Sequence, residues 1–354
     1  MRTSGLRSAG VALAAAVLLG ACRSDAGRVA LADVVLDEVV AVGVVEGAAE
    51  QEFGDIVEVR ASDDGSFFVL DGQAATVAWF DSAGGFVGGI RSRGAGPGEL
   101  VRPLAMAVAE ADQLAVLDPA NARLSIYRMA APALTYEQGV RGPWSNLAGG
   151  RNICGVAGRW YVRNPRDGFL IHEIDRAGEI VRSFEAADTV STDEFGGFTP
   201  IVAPQKNAGS ILCLPDRSMI VSLGVHSSRV RAFTLDGELV WESEPVDIRP
   251  IQFVVTPAGA LRGEVDPDKG AHIGRSVSRW TPETVLVQYV RRLDEPVPED
   301  RDFHGIESLE LAIGSGEEVG RSDRLPLVAD TKGRLVYSYE NLPYPRARVL
   351  RRRR

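Results

Sequence analysis

Six short apolar runs recur along this chain, each opening just after a turn, and that repetition limits the fold more than any other feature. They are Ser66-Phe-Phe-Val-Leu-Asp71, Gln113-Leu-Ala-Val-Leu-Asp118, Arg159-Trp-Tyr-Val-Arg-Asn164, Ser218-Met-Ile-Val-Ser-Leu223, Thr284-Val-Leu-Val-Gln-Tyr289 and Arg334-Leu-Val-Tyr-Ser-Tyr339. Their openings lie 47, 46, 59, 66 and 50 residues apart. Periods near this length belong to propellers and related arrays, in which each repeat is one supersecondary unit that cannot bury its apolar face alone.

The flanks of the runs supply the rest of the unit. Turn residues precede them, as in Asp63-Asp-Gly65, Pro215-Asp-Arg217 and Lys332-Gly333; Gly gives positive φ and Asp makes local side-chain turns. A second strand starts ten residues after the opening at Thr76, Arg123 and Phe169, eleven after at Arg229 and twelve after at Arg346. A further turn (Asp81-Ser-Ala-Gly-Gly85, Asp175-Arg-Ala-Gly178, Leu235-Asp-Gly237) leads to a last strand such as Leu239-Val-Trp-Glu-Ser243. One short apolar run also precedes most openings, for example Ile56-Val-Glu-Val59 and Leu104-Ala-Met-Ala-Val108. Four short antiparallel strands per unit make a propeller blade, and six units fit. The predicted fold is therefore all-β, a six-bladed β-propeller over residues 28–354.

The stretch Gly94-Ala-Gly-Pro-Gly-Glu-Leu100, followed by Pro103 and by Val-Leu-Asp-x-x-Asn-x-Arg-Leu over 116–124, resembles the NHL-type six-bladed propeller pattern. The likeness is good for the first two units and loose afterwards. The chain is similar to six-bladed propeller lipoproteins of bacteria, which implies a fold and a location but no reaction.

The N-terminus agrees with that location. Arg2 and Arg7 precede an apolar segment, Val11 to Leu19, too short for a membrane span but right for a secretory leader over 1–21. Leu19-Gly-Ala-Cys22 resembles the bacterial lipobox, which implies that Cys22 is the lipidated first residue of the mature chain, with 22–27 as a tether; a plain secretory cleavage beside an incidental Cys is the alternative. Arg23 in place of Asp favours, by the same resemblance and for a Gram-negative envelope, an outer-membrane destination facing the periplasm or the cell surface. Loss of Arg2 and Arg7 takes the formal charge from −9 to −11, which disfavours nucleic acid as a partner. The final four arginines, 351–354, read as a solvated tail that could meet anionic lipid headgroups.

Residues 30–45 are rich in Val and read as strand. They would complete the sixth blade, which otherwise ends with three strands, and so close the ring without an exposed edge. Long insertions lie at 187–207 and 247–270, between blades, and at 291–305 inside blade five, which carries the acidic run from Asp294 to Asp302. In a four-strand meander the inter-blade linkers and the loops between second and third strands share one end. All the long insertions thus fall on one face, the usual place for function in a repeat fold.

Candidate chemistry is sparse. His226, His272 and His304 map to the insertion face, and their convergence would make a metal site, although no short ligand spacing is present. Arg151, Arg166, Arg275 and Arg279 are candidates for a channel mouth that meets a carboxylate or phosphate. His172 reads as structural, and Asp71, Asp118, Asn164 and Glu99 as turn- and loop-fixing residues. Cys154 and Cys213 occupy the same position on the first strands of neighbouring blades. The position is small and apolar elsewhere, so two free core thiols are expected, with a bridge as the alternative. No nucleophile elbow, P-loop or zinc-protease motif occurs, and no cofactor is expected. The expected function is monomeric, non-catalytic binding of a protein, peptide or glycan on the long-loop face of a membrane-anchored propeller; the alternative is a metal-dependent hydrolase or lyase acting at the channel.

Overall fold

A computed structural model describes residues 29–109, 112–142, 144, 152–156, 158–268 and 270–353. The expected leader, the tether and Cys22 lie outside the described residues, as does Arg151.

Six four-stranded antiparallel sheets follow one another around a ring. Blade one is Ile56–Ala61, Phe67–Asp71, Thr76–Phe80 and Phe86–Ile90; blade two is Ala105–Ala109, Gln113–Asp118, Arg123–Ala130 and Ala133–Arg141. Blade three is Ile153–Val156, Arg159–Arg166, Phe169–Ile174 and Ile180–Ala186; blade four is Gly209–Leu214, Met219–Gly224, Val230–Thr234 and Leu239–Glu242. Blade five is Ala271–Thr281, Thr284–Arg292, Gly305–Ala312 and Glu318–Ser322. Every expected run is the second strand of its blade, where all or nearly all positions are buried, because both faces of a blade are covered by neighbours. That is why these runs are continuously apolar rather than alternating.

Blade six takes Val328–Lys332, Leu335–Glu340 and Arg346–Arg352 from the C-terminus and its outer strand, Leu36–Val42, from the N-terminus. The strand is shorter than the 30–45 read from sequence, because Leu31–Asp33 forms a 3-10 turn whose Leu31 is buried. The closing pair runs from Leu36 opposite Arg352 to Val42 opposite Ala347. Arg348 donates to Glu38 at 2.6 Å and Arg353 to Asp37 at 2.7 Å. The C-terminal arginines are therefore not a free tail: Arg351 and Arg352 lie in the closing strand pair.

The core is divided into six layers, each between two blades. Phe68, Leu70 and Trp79 of blade one pack against Met106, Leu114 and Tyr127 of blade two, and Val221 and Trp241 of blade four against Val287 and Leu309 of blade five. Phe67 and Phe80 pack with Tyr337 and Val349 across the closure. Ring closure thus completes a hydrophobic layer as well as a sheet.

Two insertions have structure that their composition did not show. Residues 187–207 include two short helices, Thr192–Phe195 and Thr199–Lys206, the first capped by the Ser191 hydroxyl. Residues 247–270 carry a separate hairpin, Gln252–Val255 with Leu261–Glu264. It turns through Gly259, whose φ of 75° suits glycine. Among the described residues no helix is long and apolar enough to cross a membrane.

Candidate functional site

Strand direction alone assigns the two faces. One carries the tight turns between first and second strands, such as Pro215–Arg217; the other carries the inter-blade linkers and the long loops.

The central channel is a poor site. The first strand of blade one places buried Glu58 and Arg60 in it. Arg60 pairs with Glu58 and donates to the carbonyls of Met106 and Ala329 at 3.0 Å, which ties blades two and six to blade one. Beside them Arg275 donates to the Tyr339 hydroxyl at 3.0 Å, and that hydroxyl donates to the Val57 carbonyl at 3.0 Å. The void left among these groups is about 20 Å³, room for a single water. On the tight-turn face the channel widens into a funnel of about 530 Å³, where Arg60, Cys154, Cys213 and Arg279 stand.

The three expected arginines among the described residues do not come together. Arg275 is held inside the plug, and Arg166 pairs with its neighbour Asp167 on the long-loop face. Arg279 lies toward the other end of the Arg275 strand, gripping Asp216 with two bonds of 2.5 and 2.8 Å. Nor do the three histidines meet, and among the described residues no three His, Cys, Asp or Glu side chains are grouped to hold an ion. Each histidine has another setting. His272 accepts the Arg249 amide at 3.2 Å and meets Glu307 at 3.1 Å, so it fixes the base of the 247–270 insertion. The hydrogen bond from His272, aided by the Arg321 guanidinium, holds the Glu307 carboxyl below its usual range. His304 accepts the Leu293 amide and donates to the Pro296 carbonyl, both at 3.2 Å, so it staples the acidic loop. His226 stands edge-on to Phe253 at 5.2 Å. Burial, with Lys206 nearby, pushes its pKa down.

The thiol expectation is overturned. Cys154 and Cys213 form a disulfide with Cα atoms 5.7 Å apart. Equivalent positions on neighbouring first strands converge around the channel, within the span a bridge needs.

What these histidines support is a cleft of about 890 Å³ on the long-loop face, between the 247–270 insertion and the acidic loop. It is lined by Phe253 and Val265 of the hairpin segment, by Ile273 and Leu293 of blade five, and by His226, Arg262, Asp294 and Glu295. An Arg249–Asp266 ion pair at 2.6 Å joins the two ends of the hairpin. Apolar side chains with a few charged groups among them suit ligand binding. Sequence reading missed Phe253, Val265 and Arg262, although the apolar run Ile251-Gln-Phe-Val-Val255 inside a polar linker was a usable signal.

A family model described as a 6-bladed beta-propeller matches residues 33–153, from the closing strand to the start of blade three. Among solved structures, the chain is similar to a protein from Bacteroides fragilis NCTC 9343 described as exported, at a TM-score of 0.58 and 11% identity over 90% of this chain and 95% of that one. It is also similar to a member of the DUF4221 family from Bacteroides vulgatus, at a TM-score of 0.59 and 9% identity over 90% of this chain and 98% of that one. No curated protein matches the sequence. At such identities the likeness carries the fold alone. This protein is a six-bladed β-propeller.

Proposed function

We propose that the protein is a lipid-anchored component of the bacterial cell envelope, held by Cys22 after removal of the leader 1–21. It binds a protein, peptide or glycan in the cleft between blades four and five and performs no chemistry on it. The observation that carries this reading is how the cleft is built. Its walls are the two insertions that the propeller does not need, and His272 and His304 are spent on fixing them. A rigid disc with built-up loops on one face is suited to recognition. The exported description of the Bacteroides fragilis neighbour and the lipobox-like Leu19-Gly-Ala-Cys22 are consistent with the location.

The test is photo-crosslinking in envelope fractions, with the crosslinker at position 253 or, as a control, at Ala83 on the tight-turn face. A discrete adduct from 253 that is missing from 83 is expected, and Arg262→Ala should weaken it by about tenfold, as for a central contact. Adducts from 83 alone would refute the site. Turnover of the captured ligand by the purified protein would refute the non-catalytic reading.

A further inference from the structure

We infer that the anchored disc sits with its tight-turn face toward the bilayer, that this face meets anionic lipid headgroups, and that the binding cleft points away from the membrane. The inference rests on the Cys22 anchor proposed above and adds the direction of the molecule. Three independent observations carry it.

The first is strand direction. Leu36–Val42 pairs antiparallel with Arg346–Arg352 and runs from the tight-turn face to the long-loop face. The residues before it therefore emerge on the tight-turn face. Val29 and Val34 indeed stand in a hollow of about 950 Å³ with Pro215, Pro282, Lys332 and Arg334, which come from the tight turns of blades four, five and six.

The second is length. Seven residues, 22–28, separate the anchor from Val29; fully extended they reach about 25 Å at most. A nine-residue strand such as Thr284–Arg292 spans roughly 30 Å between the faces. At blade five, beside which the chain emerges, the tether is shorter than the distance between the faces and cannot lay the acidic loop on the membrane.

The third is chemistry. Beside the emerging chain, Arg352 stacks on Trp280 with its guanidinium 4.3 Å from the ring centre and donates to the Trp280 carbonyl at 2.7 Å. Arg334 donates to the carbonyl of Arg352, and Arg351 is exposed. Among the described residues none of these three has a salt-bridged carboxylate. Of the acids nearby, Asp216 pairs with Arg279, Glu283 with Arg217 and Asp63 with Lys332, while Glu310 lines the same hollow as Arg352. Exposed Val29 and Val35 lie alongside. Guanidinia set among apolar side chains suit the headgroup region. The long-loop face carries the exposed acids Asp294, Glu295, Glu299 and Asp300, which an anionic surface repels.

The lipidated full chain is reconstituted into vesicles containing phosphatidylglycerol and an acceptor-labelled lipid. Because Cys154 and Cys213 are paired and Cys22 is acylated, Glu283→Cys or Asp300→Cys supplies the single free thiol for a donor dye. These positions lie at opposite ends of one blade, and each change removes one acid. Transfer from position 283 is expected to exceed that from 300 by about twofold or more, given the length of the strand between them. Equal transfer, or more from 300, overturns the orientation while leaving the anchor intact. A chain beginning at Arg23, with neither leader nor Cys22, that floats with vesicles as well as the lipidated one overturns the anchor, and the orientation with it.

Discussion

Asp118, Asn121 and Arg123 show why the pattern in blade two has the residues it has. Asp118 accepts from the amides of Val101 and Arg102 at 2.7 and 3.1 Å and from the Asn121 side chain at 2.9 Å. Asn121 donates in turn to the Gly94 carbonyl at 3.1 Å, and Arg123 donates to the carbonyls of Gly96 and Glu99 at 3.1 and 2.6 Å. Glu99 accepts the Gly96 amide at 2.8 Å. Three side chains of one turn thus hold the whole incoming linker, which has no sheet of its own to satisfy its backbone. Asp71 repeats the device in blade one, accepting from Gly54, Asp55, Gln73 and Ala74. His172 is another structural residue, buried, donating to the Asn164 carbonyl at 2.7 Å and accepting from the Ser183 hydroxyl at 2.8 Å. Burial pushes its pKa below 6.5. As the pH falls through that ordinary value, the unfolded chain takes up a proton that the folded one refuses, so this histidine costs stability below about pH 6.5 and nothing above it. Thermal melts from pH 7.5 to 5 should therefore fall more steeply for the native protein than for His172→Gln. Parallel curves would show that His172 does not contribute to acid sensitivity.

At the scale of elements, the Cys154–Cys213 bridge ties the first strands of blades three and four across 59 residues of sequence. Closing so long a loop in the unfolded chain is worth about 2–4 kcal/mol. Cys154→Ser with Cys213→Ser should lower the unfolding free energy by that amount and leave the far-ultraviolet spectrum unchanged. Thiol titration of the denatured, unreduced protein should find neither cysteine free; two reactive thiols from this pair would restore the reading the structure has displaced. The hairpin Gln252–Val255 with Leu261–Glu264 is a contrasting element. Two strands alone are marginal in water, so it depends on its pinned ends, the Arg249–Asp266 pair and the Arg249 amide on His272.

For the whole molecule, the decisive contact is between the two ends of the chain. The ion pairs across it are exposed and screened by solvent, so they contribute little. The closing strand does more through its ladder and through Val42, which packs in the layer shared by blades six and one. A chain beginning at residue 44 should therefore lose cooperative unfolding and associate through the bare Arg346–Arg352 edge. Scanning calorimetry and light scattering would show it. A monomeric, cooperatively melting truncation would mean that the ring holds without its last strand.

Much of this was legible in the amino-acid sequence alone. Blade number, strand order and closure by the N-terminal strand follow from a period of apolar runs and turns, because each blade is a local unit whose pattern repeats. The roles of Asp71, Asp118 and Glu99 were legible for the same reason, since a turn is decided by residues a few positions apart. What tertiary structure alone decided depends on distance between blades. Nothing in a separation of 59 residues says that Cys154 and Cys213 meet, that Arg275 is held in the plug while Arg279 reaches the tight-turn face, or that three histidines on one face stay apart. The cleft belongs to this second kind: Phe253 and Leu293 lie in different insertions and line it together only because the ring sets blades four and five side by side.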